Sequence, residues 1–358
     1  MGFFKKKPQA FLGVDIGAGG VKVVELRSER GRARLSTYGL AEYPSMERSA
    51  TSLGDDLGGL ADALREVCAR ARVEATEAVC ALPVAAVFSS VITLPRMAKK
   101  QLPDAVAWEA KKLLPLPYEE MITDWKLLTP EEDLETENTD TTTARVLLTA
   151  APKQLVQQYI TVFRGAGLEL LSLETEAFAL IRSLVGDDPA VVLLMDIGAS
   201  RTSMVIVEDG TPMLSRSVDV GGRHLTRAMS DLMGIAVPAA EELKLDLAVT
   251  PTGNPAAAAL PKLFERLFAP VIQEARYAMN LHQSQEVNNG RSVEKIILAG
   301  GSALLPSLTE YFGSTLNLRA FVGDPWARVV YPVDLRPALD TIGARFAVAV
   351  GLGMREIV

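Results

Sequence analysis

Short apolar runs punctuate the chain, and two of them share the same continuation. Residues 11–14 and 191–195 each read as a buried strand, each runs into Asp-Ile-Gly-Ala at 15–18 and 196–199, and each precedes a second β-rich run. The repeated unit is therefore strand, tight acidic turn, strand. Two such hairpins half a chain apart predict two related lobes facing each other across a cleft, with an anionic ligand and its metal between the loops.

Between these hairpins the pattern changes character. The runs 21–26 and 33–43 bracket a turn at 28–31, and after Asp55 the residues Leu57, Leu60, Leu64 and Val67 recur at helical spacing. A different texture starts near Val79: strand-like 79–82 and 87–94, a helix over 103–114, Pro115 and Pro117, then a strand at 124–128. Residues 129–143 hold six acidic side chains and no basic one, which predicts a mobile hairpin tip. A strand at 145–150 follows, and then a helix marked by Leu155, Tyr159 and Phe163 and closed by Gly165 and Gly167. The stretch 80–167 thus reads as a small α+β domain inserted into the first lobe.

Past Val191, helical patterns follow Gly221-Gly222 and Pro238, and a Pro/Ala-rich loop spans 250–261. An amphipathic stretch with Leu263, Leu267, Val271, Ala275 and Met279 is predicted to break or kink at Pro270. A buried strand at 293–298 ends at Ala299-Gly300-Gly301-Ser302, and 341–352 is a last helix whose Gly and Ala content permits close approach. The resulting boundaries are 8–79, 168–188 and 333–358 for the first-lobe core, 80–167 for the insertion, 189–220 and 291–332 for the second-lobe core, and 221–290 for a subdomain of that lobe.

Composition narrows the function classes. With 358 residues, 48% hydrophobic and 23% charged, the chain is of globular type, and a net charge of −7 offers no basic face for nucleic acid. No apolar run approaches the roughly 20 residues of a membrane span and no signal pattern opens the chain, so a cytoplasmic location is the default. Cys68 and Cys80 read as buried thiols, and His224 and His282 as structural. Residues 1–7 read as a solvated terminus.

The candidate chemistry lies in the two hairpins. Glycines let backbone N–H groups approach phosphate oxygens, since no Cβ intervenes. The first loop offers Gly17, Ala18, Gly19 and Gly20 with Lys22 beyond; the second offers Gly198, Ala199, Ser200 and Thr202. A carboxylate does not bind phosphate directly, so the partner of Asp15 and of Asp196 is the Mg²⁺ that accompanies a nucleotide, held through water. No Gly-x-x-x-x-Gly-Lys-Ser/Thr motif competes for the role, and no Gly-x-Gly-x-x-Gly opens a helix. Gly300, Gly301 and Ser302 let a flat base lie against backbone, or form only a strand-to-helix turn. Glu241 and Lys244 share a helix face and can bond a ribose, or form a surface ion pair. Gly221 and Gly222 complete the cofactor-binding set. Glu176 is the catalytic candidate, orienting a water near a terminal phosphate, or else a capping residue.

These pieces in this order resemble the actin-like ATPase superfamily, which includes actin, the heat-shock chaperones, sugar kinases and the division protein FtsA. Residues 15–22 look like the first phosphate loop, 196–202 like the second, 297–302 like the adenosine motif, and 174–180 and 341–352 like the two connecting helices. The resemblance implies an α/β, actin-like ATPase fold: two related lobes around a nucleotide cleft, with an FtsA/PilM-type inserted α+β subdomain in the first lobe, ATP as cofactor, and Mg²⁺ at Asp15 and Asp196.

Within that superfamily the chain is similar to the PilM family of type IV pilus assembly. The residues that carry the likeness are Trp108-Glu109-Ala110, Leu114-Pro115-Leu116-Pro117, Asp124-Trp125, 275–285, Asp324-Pro325-Trp326 and Gly351-Leu352-Gly353-Met354-Arg355. The family implies a cytoplasmic, ATP-binding adaptor of the pilus inner-membrane platform, which grips the N-terminal peptide of PilN and meets the membrane only through partners. The groove residues, within 79–94 and 108–116, and the oligomeric state stay open. Ala177 follows Glu176 where the superfamily often has Pro, so hydrolysis is expected to be slow at most. Two other functions remain: a sugar-kinase-like phosphotransferase, for which the first lobe offers no convincing acidic base, and an FtsA-like filament protein, for which the chain would need an amphipathic helix beyond Val358.

Overall fold

The computed structural model describes residues 9–43, 53–54, 56–130, 142–249, 254–284 and 290–357. The expectation for residues 1–7, most of the acidic tip expected at 129–143 (131–141) and the first part of the loop expected at 250–261 (250–253) lie outside the described residues, while the rest of that loop is helical from Pro255 onward.

The first lobe is built on an antiparallel meander of β1 (Ala10–Gly17), β2 (Gly20–Glu29) and β3 (Arg32–Glu42). The turn between β2 and β3 needs left-handed backbone at Arg30 and Gly31, with φ of 54° and 76°, which glycine supplies at no steric cost. The strand β4 (Glu77–Leu82) joins β1 in parallel, and β8 (Glu169–Thr175) joins β4. With β14 (Val329–Val330) at the far edge the order is β14-β3-β2-β1-β4-β8. The second lobe repeats the plan: β9 (Val192–Ile197), β10 (Thr202–Glu208) and β11 (Thr211–Val218) form the meander, and β12 (Lys295–Ala299) and β13 (Arg319–Val322) add in parallel, giving β11-β10-β9-β12-β13. The two acidic hairpins are thus the same corner of two related sheets.

One detail differs from the sequence reading. The acids are not in the turns: Asp15 lies within β1 opposite Lys22, and Asp196 within β9 opposite Ser203, while the tips are Ala18-Gly19 and 198–201. Their place on strands gives them fixed direction, since opposed residues of an antiparallel pair stand on one face.

On one side of the first sheet lie α1 (Leu57–Arg70) and α3 (Lys153–Ala166). The Asp56 side chain caps α1 by accepting the Gly59 N–H at 2.7 Å, and Gly167 ends α3 in the left-handed region at φ 78°. Gly165 sits inside α3, where a Cβ would lie 2.9 Å from Ala61 Cβ of α1, so the two helices meet backbone to methyl. A separate three-stranded sheet, β5 (Phe88–Pro95), β7 (Thr143–Pro152) and β6 (Met121–Leu127), carries α2 (Leu102–Leu113) on Leu102, Val106 and Ala110. It occupies less of the chain than 80–167, because β4 is taken up between β1 and β8 and α3 packs on α1.

The second lobe buries its sheet under α5 (Gly222–Met233), α6 (Val237–Val249), α7 (Leu260–Leu267), α8 (Ala269–Ser284) and α9 (Leu308–Leu316). The expected break falls at Phe268, and Pro270 takes the first turn of α8, where its missing N–H costs nothing. The chain passes from lobe to lobe through α4 (Glu176–Leu180), which widens into one π-turn over Ile181–Val185, and returns through α10 (Arg336–Met354). Ala177, Ala179 and Leu180 of α4 and Ala347, Val348 and Leu352 of α10 form one apolar cluster with Val79 and Ala81 of the first sheet and Val192, Leu194, Val205 and Ile297 of the second. This shared core joins the lobes behind the cleft.

Candidate functional site

A cleft of about 390 Å³ opens between the two hairpin corners. Asp15, Gly17, Ala18, Gly19 and Lys22 border it from the first lobe; Asp196, Gly198, Ala199 and Ser200 face them from the second, and Glu176 closes the floor. The strand pairing of Asp15 with Lys22 becomes a side-chain contact, Nζ to Oδ2 at 2.6 Å. Burial, and then the negative charge of Asp15, push the Asp196 carboxyl up to about 6. Glu176 goes further, to about 8, through burial first and then the charges of Asp196 and Asp15. Its Oε2 accepts the Val84 N–H at 3.1 Å. Three carboxyls share one lysine in a low-dielectric space, an excess of negative charge that a cation would offset.

The second loop is stapled to the start of α5. The Gly198 N–H donates to Arg201 O at 2.9 Å, Gly222 N–H to Gly198 O at 2.9 Å, and Arg223 N–H to Ala199 O at 2.7 Å. Gly221 permits this approach, since a Cβ there would lie 2.5 Å from Arg201 N. Gly300 is left-handed at φ 86°, and a Cβ would lie 2.5 Å from Asp196 Oδ1, so this glycine keeps room beside the acid. Within this frame the Ser200 Oγ is buried without a hydrogen-bond partner among the described residues.

At the other end of the cleft Lys244 is buried, and its Nζ donates to Glu241 Oε2 at 2.7 Å, Thr226 Oγ1 at 2.9 Å and Gly222 O at 3.2 Å. Burial lowers the pKa of this ammonium, against the raising effect of Glu241. Gly301 and Ser302 border the cleft beside it, with the Arg345 side chain within 3.4 Å of where a Gly301 Cβ would stand. Arg345 also pairs with Glu42 at the end of β3, so two first-lobe side chains stand beside Gly301 of the second lobe.

Of the residues singled out in the sequence, most border the cleft together; Gly20, Thr202 and Gly221 stand behind its wall. Gly20 lies against β3, where a Cβ would come within 2.2 Å of Ala41 O, and Thr202 is fully buried with its hydroxyl donating to Val220 O at 2.7 Å. The sequence reading missed Glu42, Tyr43, Arg201, Arg223 and Arg345, all at the cleft. Arg201 and Arg223 adjoin the second loop and the Gly221-Gly222 pair, a local signal that could have found them. Glu42 and Arg345 are 303 residues apart, with no local signal.

Elsewhere, α2, the connection after it and the three-stranded sheet expose large apolar side chains: Trp108 at 64%, with Leu113, Leu116 and Ile122 also exposed. Lys112 Nζ stands over the Trp108 ring at 3.1 Å. The sheet also touches the second lobe, with β5 packed beside β11 and Arg145 within 3.9 Å of Met213 Sδ. Among the described residues no helix is long and apolar enough to cross a membrane.

Residues 13–357 match the family model described as type IV pilus assembly protein PilM. A chain of the solved PilM-PilN type IV pilus biogenesis complex is 27% identical over 97% of this chain and 98% of its own length, with a TM-score of 0.81. The ethanolamine utilization protein EutJ from Carboxydothermus hydrogenoformans matches 98% of this chain and 91% of its own at 18% identity and a TM-score of 0.55. MreB5 of Spiroplasma citri, solved bound to ADP, matches 96% of this chain and 94% of its own at 13% identity and a TM-score of 0.55. At 18% and 13% identity the likeness is one of fold.

Proposed function

The chain belongs to the type IV pilus assembly protein PilM family and has the actin-like ATPase fold, and on that premise we propose that it is a nucleotide-dependent adaptor that binds the N-terminal peptide of PilN. What carries the reading is one coincidence: a likeness that extends over 97% of the chain to a protein solved as a PilM-PilN complex, and a cleft between two acidic hairpins held open by glycine. It works at the cytoplasmic face of the inner membrane, held there by partners of the pilus platform. Its subdomain division is taken to be that read from the sequence, except that the inserted element narrows to the three-stranded sheet with α2.

The cleft residues fit Mg-ATP. Lys22 supplies a point charge and Ser200 an unpartnered hydroxyl to the phosphates, and the glycines at 17, 19, 198 and 222 leave backbone accessible. Glu241 and Lys244 meet the ribose, and the base lies along Gly300 and Gly301. Among the described residues no cage of three or more acidic, His or Cys side chains is present, and Mg²⁺ does not need one: one or two carboxylates, waters and phosphate oxygens suffice. Asp15 and Asp196 are the carboxylates. A bound Mg²⁺ would neutralise phosphate charge and draw down the raised pKa values of Asp196 and Glu176. Without a cation Glu176 is largely protonated near neutrality and cannot accept a proton in that state.

The PilN peptide docks on apolar surface around the three-stranded sheet, where Trp108, Leu113 and Leu116 are exposed. That sheet meets the cleft through Val84 and the second lobe through β11, so lobe closure biases how the peptide is held. The test is calorimetric titration of the PilN N-terminal peptide into the protein with Mg-ATP, with Mg-ADP and without nucleotide. Binding that changes with nucleotide supports the adaptor; absence of peptide binding in all three states sinks it.

A further inference from the structure

Arg223 stands where the two loops meet. Its backbone N–H is fixed to the second loop through Ala199 O at 2.7 Å, while its guanidinium donates across the cleft to Ala18 O of the first. The loops touch at this place, since a Cβ on Gly19 would lie 3.1 Å from Ala199 Cβ. The side chain is half-buried and borders the cleft, so it forms part of a roof that spans both lobes.

A carbonyl is a modest acceptor for a guanidinium, whereas phosphate oxygens are strong ones, and the planar fork can serve two acceptors at once. Gly17 and Gly19 flank Ala18 and carry no side chain. We propose that Arg223 is a latch: it clamps the phosphate chain of a bound nucleotide beneath the joined loops and slows its release. This rests on the nucleotide-binding reading above.

A brace and a latch differ in what they change. A cross-lobe brace supports the empty protein, while a latch acts on the release rate of the ligand. The experiment follows dissociation of a fluorescent ATP analogue, chased by unlabelled Mg-ATP, from the full chain and from its Arg223→Ala and Arg223→Lys variants, with thermal melting of each protein without nucleotide. Arg223→Ala is expected to raise the dissociation rate about tenfold, the scale of one lost charge-assisted hydrogen bond, and to leave association and nucleotide-free melting nearly unchanged. Arg223→Lys, which keeps the charge and loses the fork, is expected to recover only part of the effect. Unchanged release from a variant that binds normally overturns the latch and spares the nucleotide reading, as does faster release accompanied by a matching loss of nucleotide-free stability. Failure of the wild-type protein to bind the analogue overturns both.

Discussion

The Glu176 carboxyl accepts the Val84 N–H at 3.1 Å. One partner begins the helix that crosses to the second lobe and the other sits on the connection from β4 to the three-stranded sheet, so a single hydrogen bond ties the cleft floor to that sheet. The bond also places an acid in a buried site beside two others.

Its pH dependence follows. With a native pKa raised to about 8 by burial and then by Asp196 and Asp15, Glu176 keeps a proton that the unfolded chain has released over the interval above 4.5. The unfolded state therefore binds fewer protons there, and stability falls as pH rises through that window. Glu176→Gln removes this dependence and retains an oxygen to accept the Val84 N–H. Thermal melts in the absence of nucleotide are expected to show the wild-type midpoint dropping more steeply than that of the variant from about pH 6 to about pH 8; parallel curves would count against the assignment. Asp196, raised to about 6, acts in the same sense at lower pH in both proteins.

Lys244 holds Glu241, Thr226 and the Gly222 carbonyl together from a buried position. Lys244→Ala removes the donor that these three acceptors share, leaving the Thr226 hydroxyl to serve Gly222 O or Glu241, and is expected to cost about 1–3 kcal/mol in urea denaturation. Nucleotide affinity, measured by calorimetry well below the unfolding transition, is expected to fall as well. A loss of stability with unchanged affinity would assign Lys244 to the architecture alone.

Gly351 of α10 crosses α4 so closely that a Cβ would stand 1.9 Å from Ala179 O. No rotamer relieves a contact between Cβ and backbone, so the helices must separate. Gly351→Ala is expected to destabilise by about 3 kcal/mol or more. Loosening the lobes at their shared core should also weaken nucleotide binding, which equilibrium denaturation and titration together would measure.

Trp108 is 64% exposed and contributes little to the core. Trp108→Ala is expected to change stability by less than about 0.5 kcal/mol. If the peptide docks there, affinity for the PilN N-terminal peptide drops about tenfold or more, the scale of an aromatic anchor. Wild-type peptide affinity in the variant would move the groove elsewhere on the sheet.

Much of this protein is written locally in its sequence. Apolar runs ending in Asp-Ile-Gly-Ala specify the two hairpin corners because a strand, a glycine turn and a returning strand are set by neighbouring residues, and helices such as α1 and α3 follow from the spacing of Leu60, Leu64, Tyr159 and Phe163. The contact between Asp15 and Lys22 was within reach too, because hairpin register dictates which residues oppose. Tertiary structure alone decided which individual groups meet around the cleft. Arg345 finds Glu42 and Glu176 finds Val84 within the first lobe, and Arg223 finds Ala18 across the cleft, only once distant segments have folded together, and no periodicity encodes such meetings. It also decided the titration of the acids: Glu176 is an ordinary glutamate in sequence, and burial beside Asp15 and Asp196 is what holds its proton.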